Sequence, residues 1–556
     1  MLKTRSKTLH TLAQKSQNGL TLVLLLALAL GIFFRFAHLD RQVYWHDETF
    51  TSLRISGYSA IEVNRELFDG KVVGVEALQK YQQVNPDKTA IDTVRSLAID
   101  DSQHPPLYYL WVRQWSVWFG PSVVAVRSLS AAIGLLVFPS AYWLCQELFA
   151  GGTATSPAQK QIANLTSGMA IALFALSPFH VLYAQEAREY SLWTVLILLS
   201  GAAFLRAIRL NTPAGWGLFT GLLILSLYTQ PIMLFVAIAF GLYLLVVERF
   251  RINRVVLSGL VSLALGVVAF LPWLQIIAKS WSVTGATWTS VPIPLPILLK
   301  TWGLHLLRAF ILTEGDFGFD HWTTYIALPL SIGLVGAAFY ALYRQTPLRV
   351  WLFAIALAGS VFVPLGLMDL VLGGQRSVSG RYIVPFYVGV PIAVAYLLSQ
   401  KLLSQKSRVD RAPTFLSQKL WPGIAAAVLS VSLIYCIVNT QATTAWTKGI
   451  NYNLPILAKL INAAPQPLLV SNSFGIDYGS TFALARQLEP KVKLQLVDAV
   501  TQPDDRNLPK IAPGFSDVFL LNPSDAFRQK LERQQQQKTK LVFHDFHLVL
   551  WKLVPW

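Results

Sequence analysis

The chain has 556 residues, 54% of them apolar and only 13% charged, and its mean hydropathy is +0.47. A soluble domain carries about 25% charged residues, so this composition excludes an ordinary globular protein and a disordered one. In a soluble chain the net charge of +17 would suggest nucleic acid. In a membrane chain what matters is where the Lys and Arg lie. Cys145 and Cys436 both sit in apolar stretches, which excludes a disulfide framework or a zinc cluster.

A membrane-crossing helix needs about 20 apolar residues. The first such run, Gly19–Leu39, follows Lys3, Arg5, Lys7 and Lys15 and reads as a retained anchor with a cytoplasmic N-terminus (1–18). Further runs follow at Ser122–Gln146, Ile162–Ala184, Tyr190–Arg209, Pro213–Gln230, Pro231–Arg249, Arg254–Ile276, Thr323–Arg344, Arg349–Leu370, Ile383–Gln400 and Trp421–Thr440. With about 11 transmembrane helices the basic clusters, including Arg249, Arg251, Arg254 and Lys401–Lys419, all fall on the cytoplasmic side. That threading requires Pro105–Gly120, which carries Arg113, to be an amphipathic helix at the outer interface and not a span.

The expected architecture is therefore a polytopic α-helical membrane protein with its N-terminus inside and its C-terminus outside, in the cell (inner or plasma) membrane. A transmembrane domain at 19–440 includes a first outer loop at 40–121 and a middle outer loop at 278–322. In the tail, 441–556, LLVSN (468–472), VKLQLV (492–497), DVFLLN (517–522) and KLVFHDF (540–546) alternate with helical stretches such as Asp525–Gln537. This pattern predicts a small extracytoplasmic α/β domain.

Four groups of polar residues stand at the outer ends of the apolar runs. Tyr44-Trp45-His46-Asp47-Glu48 directly follows the first span. It reads either as a hydrated interfacial belt or as a general base beside a lipid-embedded substrate. Asp100-Asp101-Ser102-Gln103-His104-Pro105-Pro106-Leu107-Tyr108-Tyr109 places His104 just before a helix N-terminus. That position suits an anion such as phosphate, or serves simply as a capping loop.

Glu186-Ala187-Arg188-Glu189 packs three charges between apolar runs, with Glu186 and Glu189 one helical turn apart. A structural ion pair or a substrate-facing acid would each account for it. Arg376 and Arg381, in the segment Gln375–Pro385, lie at an outer mouth against the positive-inside trend, and their planar forks suit phosphate if the segment is more than an exposed hairpin. The middle loop adds His305, Arg308, Glu314, Asp316, Asp320 and His321 in no metal-ligand spacing.

The motifs HDE (46–48), HPPLYY (104–109), YAQEAREYSL (183–192) and RYIVP (381–385) together resemble the polytopic GT-C glycosyltransferases, specifically glycosyltransferase family 39. That family holds protein mannosyltransferases and lipid A aminoarabinose transferases. The resemblance runs over roughly residues 20–400 and leaves the tail uncovered. It implies a GT-C fold and inverting transfer of a sugar from a polyprenyl-phosphate donor to an acceptor on the outer face. It implies Asp47 as general base, Glu48 positioning the acceptor or its partners, and Glu186 as the second acidic site.

His104, Tyr108, Arg376, Arg381 and Tyr382 would hold the donor phosphate, supported by His46, Arg188 and Glu189. The implied partners are the lipid-linked sugar, membrane lipid and an acceptor, with no metal, no other cofactor and no nucleic acid. Two departures stand out: some members carry Lys at the position of His104, and some carry an Arg soon after the DE pair, where this chain has only Arg54. The rival readings are a secondary transporter, which would show repeated halves and mid-membrane charges, and a glycan polymerase or ligase handling lipid-linked sugars.

Overall fold

The computed structural model describes residues 2–151, 156–284, 287–311, 322–407, 415–498, 511 and 513–555. Glu314, Asp316, Asp320 and His321 of the middle loop, and Arg408 and Arg411 of the densest basic cluster, lie outside the described residues. The chain divides into two compact units. One comprises Met1–Ala37, Gln103–Pro105 and Ser130–Thr440; the other comprises His38–Ser102, Pro106–Leu129 and Gln441–Trp556.

The first unit is helical. Among the described residues, eight helices are long and apolar enough to cross a membrane, and a bent pair makes nine. Large apolar side chains such as Leu22, Val268 and Leu330 stand exposed on them, as a lipid-facing surface requires. The chain is a multi-pass membrane protein. All eleven apolar runs fall on helices, but Pro213–Leu227 and Met233–Val247 have only 15 residues each. At about 1.5 Å per residue each is roughly 22 Å long, short of a hydrocarbon core of about 30 Å.

The run expected as a single span at Ile162–Ala184 is broken. Helix Pro157–Leu176 ends at Ser177, and Pro178–Ala184 continues at an angle of 60°. Pro178 has no N–H for the carbonyl of Phe174, and the bend strips Ala175 and Leu176 of their acceptor roles as well. In lipid such carbonyls must find donors within the protein. Arg35 donates to Phe174 O (3.0 Å) and Ala175 O (3.1 Å), and Cys436 Sγ to Leu176 O (3.2 Å). Arg35→Met would orphan two carbonyls at about 1–3 kcal/mol each. A thermal melt of the detergent-solubilised protein should show a clearly lowered transition, and an unchanged one would contradict this role for Arg35.

The second unit is built on a six-stranded sheet. Its strands are β1 (Asp69–Gly74), β2 (Pro467–Asn472), β3 (Lys493–Val497), β4 (Asp517–Leu521), β5 (Gln537–His544) and β6 (Val549–Pro555), in the order β1-β3-β2-β4-β6-β5. β2 runs parallel to β3 and β4; β1 is antiparallel to β3, and β6 to β4 and β5. The central strands are apolar on both faces because both are covered. Leu469, Leu494, Leu496 and Phe519 pack with Phe482 and with Val63, Leu67 and Leu78 of the first loop. Leu468, Val470 and Leu520 pack with Leu531 and Leu553.

This corrects the expected division at 440. The first loop supplies an edge strand, β1, and part of the core, so loop and tail form one unit. The pairing Val73↔Leu494 joins segments more than 400 residues apart, which no local pattern reveals. The expected helix at Asp525–Gln537 ends at Gln535, because Gln536 turns left-handed (φ 51°) and Gln537 opens β5. Helix Pro106–Phe119 is amphipathic as expected: Tyr108, Tyr109, Val112 and Arg113 are buried, while Trp111, Val117, Trp118 and Phe119 are exposed.

Candidate active site

The residues singled out in the sequence fall into a group in each unit. In the sheet unit, His46–Ser56 forms a helix with Asp47 and Glu48 in its first turn, where the positive end of the helix dipole favours carboxylates. Gly57 ends it in the left-handed region (φ 86°). The two acids have different surroundings. Glu48 is fully buried and takes a bidentate pair from Arg127, Nε to Oε1 at 2.7 Å and Nη2 to Oε2 at 2.6 Å, plus Lys448 Nζ at 3.0 Å. Arg127 spends its other N–H groups on the carbonyls of Leu39, Gln42 and Val43, so one guanidinium fixes the chain leading into the HDE motif. Asp47 is half-buried on the same turn.

His46 is held by its backbone: its N–H donates to Asn451 Oδ1 at 2.6 Å, and Asn451 Nδ2 donates to Ser480 Oγ. Its ring packs edge-on against Phe50, 4.8 Å between centroids. Gly479, on helix Ile476–Ala485, leaves the room for that ring. A Cβ there would lie 2.4 Å from His46 Nδ1 and 2.9 Å from Phe50 Cε2. Gly479→Ala is expected to cost about 1–3 kcal/mol by overpacking. A chemical-denaturation midpoint equal to wild type would contradict it.

Arg54 is buried and pairs with Asp100 Oδ2 (2.8 Å) and Asp101 Oδ2 (3.9 Å). The aspartates before His104 therefore anchor the Asp47 helix. Arg113 likewise serves the fold, donating to the carbonyls of Ile55, Asn85 and Lys88. Tyr108 is fully buried, its ring edge-on to Tyr109 at 5.7 Å.

In the helical unit, Gln185–Glu189 is not helical, contrary to expectation: it forms the turns joining Pro178–Ala184 to Tyr190–Leu210. Glu186 and Glu189 therefore do not share a helix face. Gln185 Nε2 donates to Phe34 O (2.6 Å) and Ala37 O (2.8 Å), capping the end of the first helix and fixing the turn.

Glu186, Arg188 and Glu189 are all buried. Glu189 Oε1 lies 3.0 Å from His104 Nδ1, and its Oε2 lies 3.4 Å from Arg188 Nε. Burial opposes the charge on Glu189, but Arg188 and then His104 outweigh it and hold the carboxyl at about 2. Arg188 Nη2 is 3.0 Å from His104 Nε2. A carboxylate can only accept and a guanidinium can only donate. Arg188 Nη2 also lies 3.2 Å from Nδ1, so Nδ1 stands beside both the carboxylate and the guanidinium. Arg188 supplies a cation in this group, beside His104 where some family members carry a lysine.

The late arginines differ in employment. Arg376 Nη1 donates to Asp369 Oδ1 (3.1 Å) and Gly373 O (2.8 Å), and Nη2 to Ser290 Oγ (2.9 Å). Three of its five N–H groups are thus directed at the loop and at Ser290. Arg381 is half-buried over the rings of Trp288 (5.8 Å) and Tyr382 (5.5 Å), which themselves stack at 6.2 Å.

Sequence reasoning passed over Arg127, Lys448, Trp288 and Asp369. Arg127 and Asp369 had a readable signal, since each is a lone charge inside an apolar run. Lys448 and Trp288 had none.

No family model matches the chain, and no curated protein sequence matches it. Among solved structures, it is similar to ArnT from Cupriavidus metallidurans bound to undecaprenyl phosphate, with 13% identity, 96% of this chain and 98% of that chain covered, and a TM-score of 0.49. The apo form of ArnT gives 12% identity, 97% and 98% coverage and a TM-score of 0.46. The Archaeoglobus fulgidus oligosaccharyltransferase tethered to an acceptor peptide gives 13% identity, 85% of this chain, 64% of that chain and a TM-score of 0.44. Both proteins are members of the GT-C superfamily.

Proposed function

We propose that this protein is an inverting membrane glycosyltransferase that moves a sugar from a polyprenyl-phosphate donor to an acceptor on the extracytoplasmic face. The observation that carries the reading is the contrast within the HDE motif. Glu48 is sealed between two cations, while the adjacent Asp47 occupies a half-buried position on a rigidly anchored helix turn. One acid is built as an anchor, and we assign its half-buried neighbour to the substrate.

In the proposed reaction Asp47 takes the proton of the acceptor hydroxyl or phosphate oxygen. That oxygen attacks the anomeric carbon from the face opposite the lipid phosphate and forms the new glycosidic bond. The carbon–oxygen bond to phosphate breaks, and its electron pair leaves with the polyprenyl phosphate. A phosphate leaving group needs no strong general acid, so one base suffices. Arg188, Arg381 and Tyr382 are the groups we assign to the donor phosphate, with His104 and Glu189 fixing Arg188 and Glu186 as the second acidic site. The threading we propose keeps the N-terminus cytoplasmic and the sheet unit outside.

Purified protein in proteoliposomes, supplied with labelled polyprenyl-phosphate sugars and a membrane extract as acceptor source, should release polyprenyl phosphate and label an acceptor. No release from any donor would refute the reading. Protease access to a C-terminal tag in intact spheroplasts should cleave the tag, whereas protection would reverse the threading.

A further inference from the structure

The loop that carries Arg381 is pinned at one residue, Ser377, which is fully buried and uses all of its polar atoms. Its N–H and its hydroxyl both donate to Asp369 Oδ2 at 2.7 Å. Trp302 Nε1 donates to the hydroxyl oxygen at 2.8 Å, and the carbonyl lies 3.0 Å from His305 Nε2. A carbonyl only accepts, so His305 carries its proton on Nε2 and its Nδ1 accepts the Tyr387 hydroxyl at 2.8 Å.

The same carboxylate holds the neighbouring residue, with Arg376 N donating to Asp369 Oδ1 at 2.9 Å. The Trp288–Thr289 segment is tied to the loop as well: Gln375 N donates to Thr289 O (2.8 Å), and Gln375 Nε2 to Trp288 O (3.0 Å). Gly374 (φ 132°) completes the clamp, because a Cβ there would lie within 3.0 Å of Arg376 Nη1, Thr289 O and Asp369 Oδ1.

Burying a carboxylate, an imidazole and a serine to fix one loop is costly, and a loop that only connected two helices would not need it. Four residues beyond Ser377 stands Arg381, with its guanidinium over Trp288 and Tyr382. We propose that Asp369 and His305 are positioning residues for anion binding. By clamping Ser377 and Arg376 N in a loop whose Gln375 is tied to the Trp288 segment, they preorganise Arg381 for the phosphate of the lipid-linked donor, an inference that rests on the donor reading above. The clamp sets donor affinity, and the acceptor-side chemistry at Asp47 is not its task.

The test uses the full chain in nanodiscs, with undecaprenyl phosphate as probe and thermophoresis as readout, alongside donor KM and kcat. His305→Leu removes the donor to Ser377 O, while His305→Gln keeps an N–H at a similar reach. Asp369→Asn turns an amide N–H toward donors. His305→Leu and Asp369→Asn should raise the Kd for undecaprenyl phosphate and the donor KM about tenfold or more, as expected for loss of one well-made hydrogen bond to a charged site, with kcat within about twofold. His305→Gln should recover most of the affinity.

A merely structural role would lower the yield of active protein and leave Kd and KM unchanged in what remains, and that result would overturn the proposal. Failure of the wild-type chain to bind the probe would overturn the donor reading itself, a result distinguishable from wild-type binding that the variants leave intact.

Discussion

Asp47→Asn is expected to abolish sugar transfer, by roughly 10²–10⁴-fold in kcat, while leaving donor binding and thermal stability close to wild type. Asparagine has the shape of aspartate but cannot accept the acceptor's proton. Two supports of this turn, the backbone N–H of His46 and the Glu48 carboxylate, do not depend on the Asp47 charge. The discriminating measurement is single-turnover transfer from a labelled donor, run beside a thermal melt of the same preparation. Lost transfer with an intact melt assigns the base to Asp47. Retained transfer would move the proton acceptor elsewhere, Glu186 being the next acid to test.

Glu48→Ala should act through stability. The carboxylate pairs with both Arg127 and Lys448, whose side chains are at most 1% exposed. Removing it leaves two buried cations facing each other across the vacated position, a loss of about 3–5 kcal/mol. Lys448→Met should be far milder, because it leaves the bidentate Arg127–Glu48 pair neutral, and burial of the ammonium is no longer required. A guanidinium-denaturation series on the two single variants and the double would therefore show strong coupling. Combined with Lys448→Met, Glu48→Ala should cost less than it does alone. Equal costs in both backgrounds would mean that Lys448 and Glu48 do not act as a pair.

These two outcomes divide a motif that the sequence presents as one unit. The chemistry was legible there because charges on an apolar chain are few, and their positions at the outer ends of spans stand out against the lipid requirement. Asp47, Glu186, His104 and Arg381 were all located that way. What the sequence could not display was which residues each of these charges meets. Arg376 looks as available as Arg381 in the string, yet one binds its own loop through Asp369 and the other lies over two aromatic rings. Glu48 looks like a twin of Asp47, yet its partners stand 79 and 400 positions away.

The helices followed the same logic. Apolar runs located them, and the break at Pro178 depended on Arg35 and Cys436 arriving from distant helices to satisfy three carbonyls. The sheet was half legible. β2, β3, β4 and β5 carry apolar, β-prone patterns, whereas β1 holds two glycines in six residues and becomes a strand through its pairing with β3.

Stereochemistry is the most direct test of the central claim. With a donor of known anomeric configuration, NMR of the first-formed product should show that configuration inverted, with one polyprenyl phosphate released per sugar transferred. A product of retained configuration, or donor left intact in the presence of active-folded protein and acceptor, would contradict the single-displacement account built on Asp47.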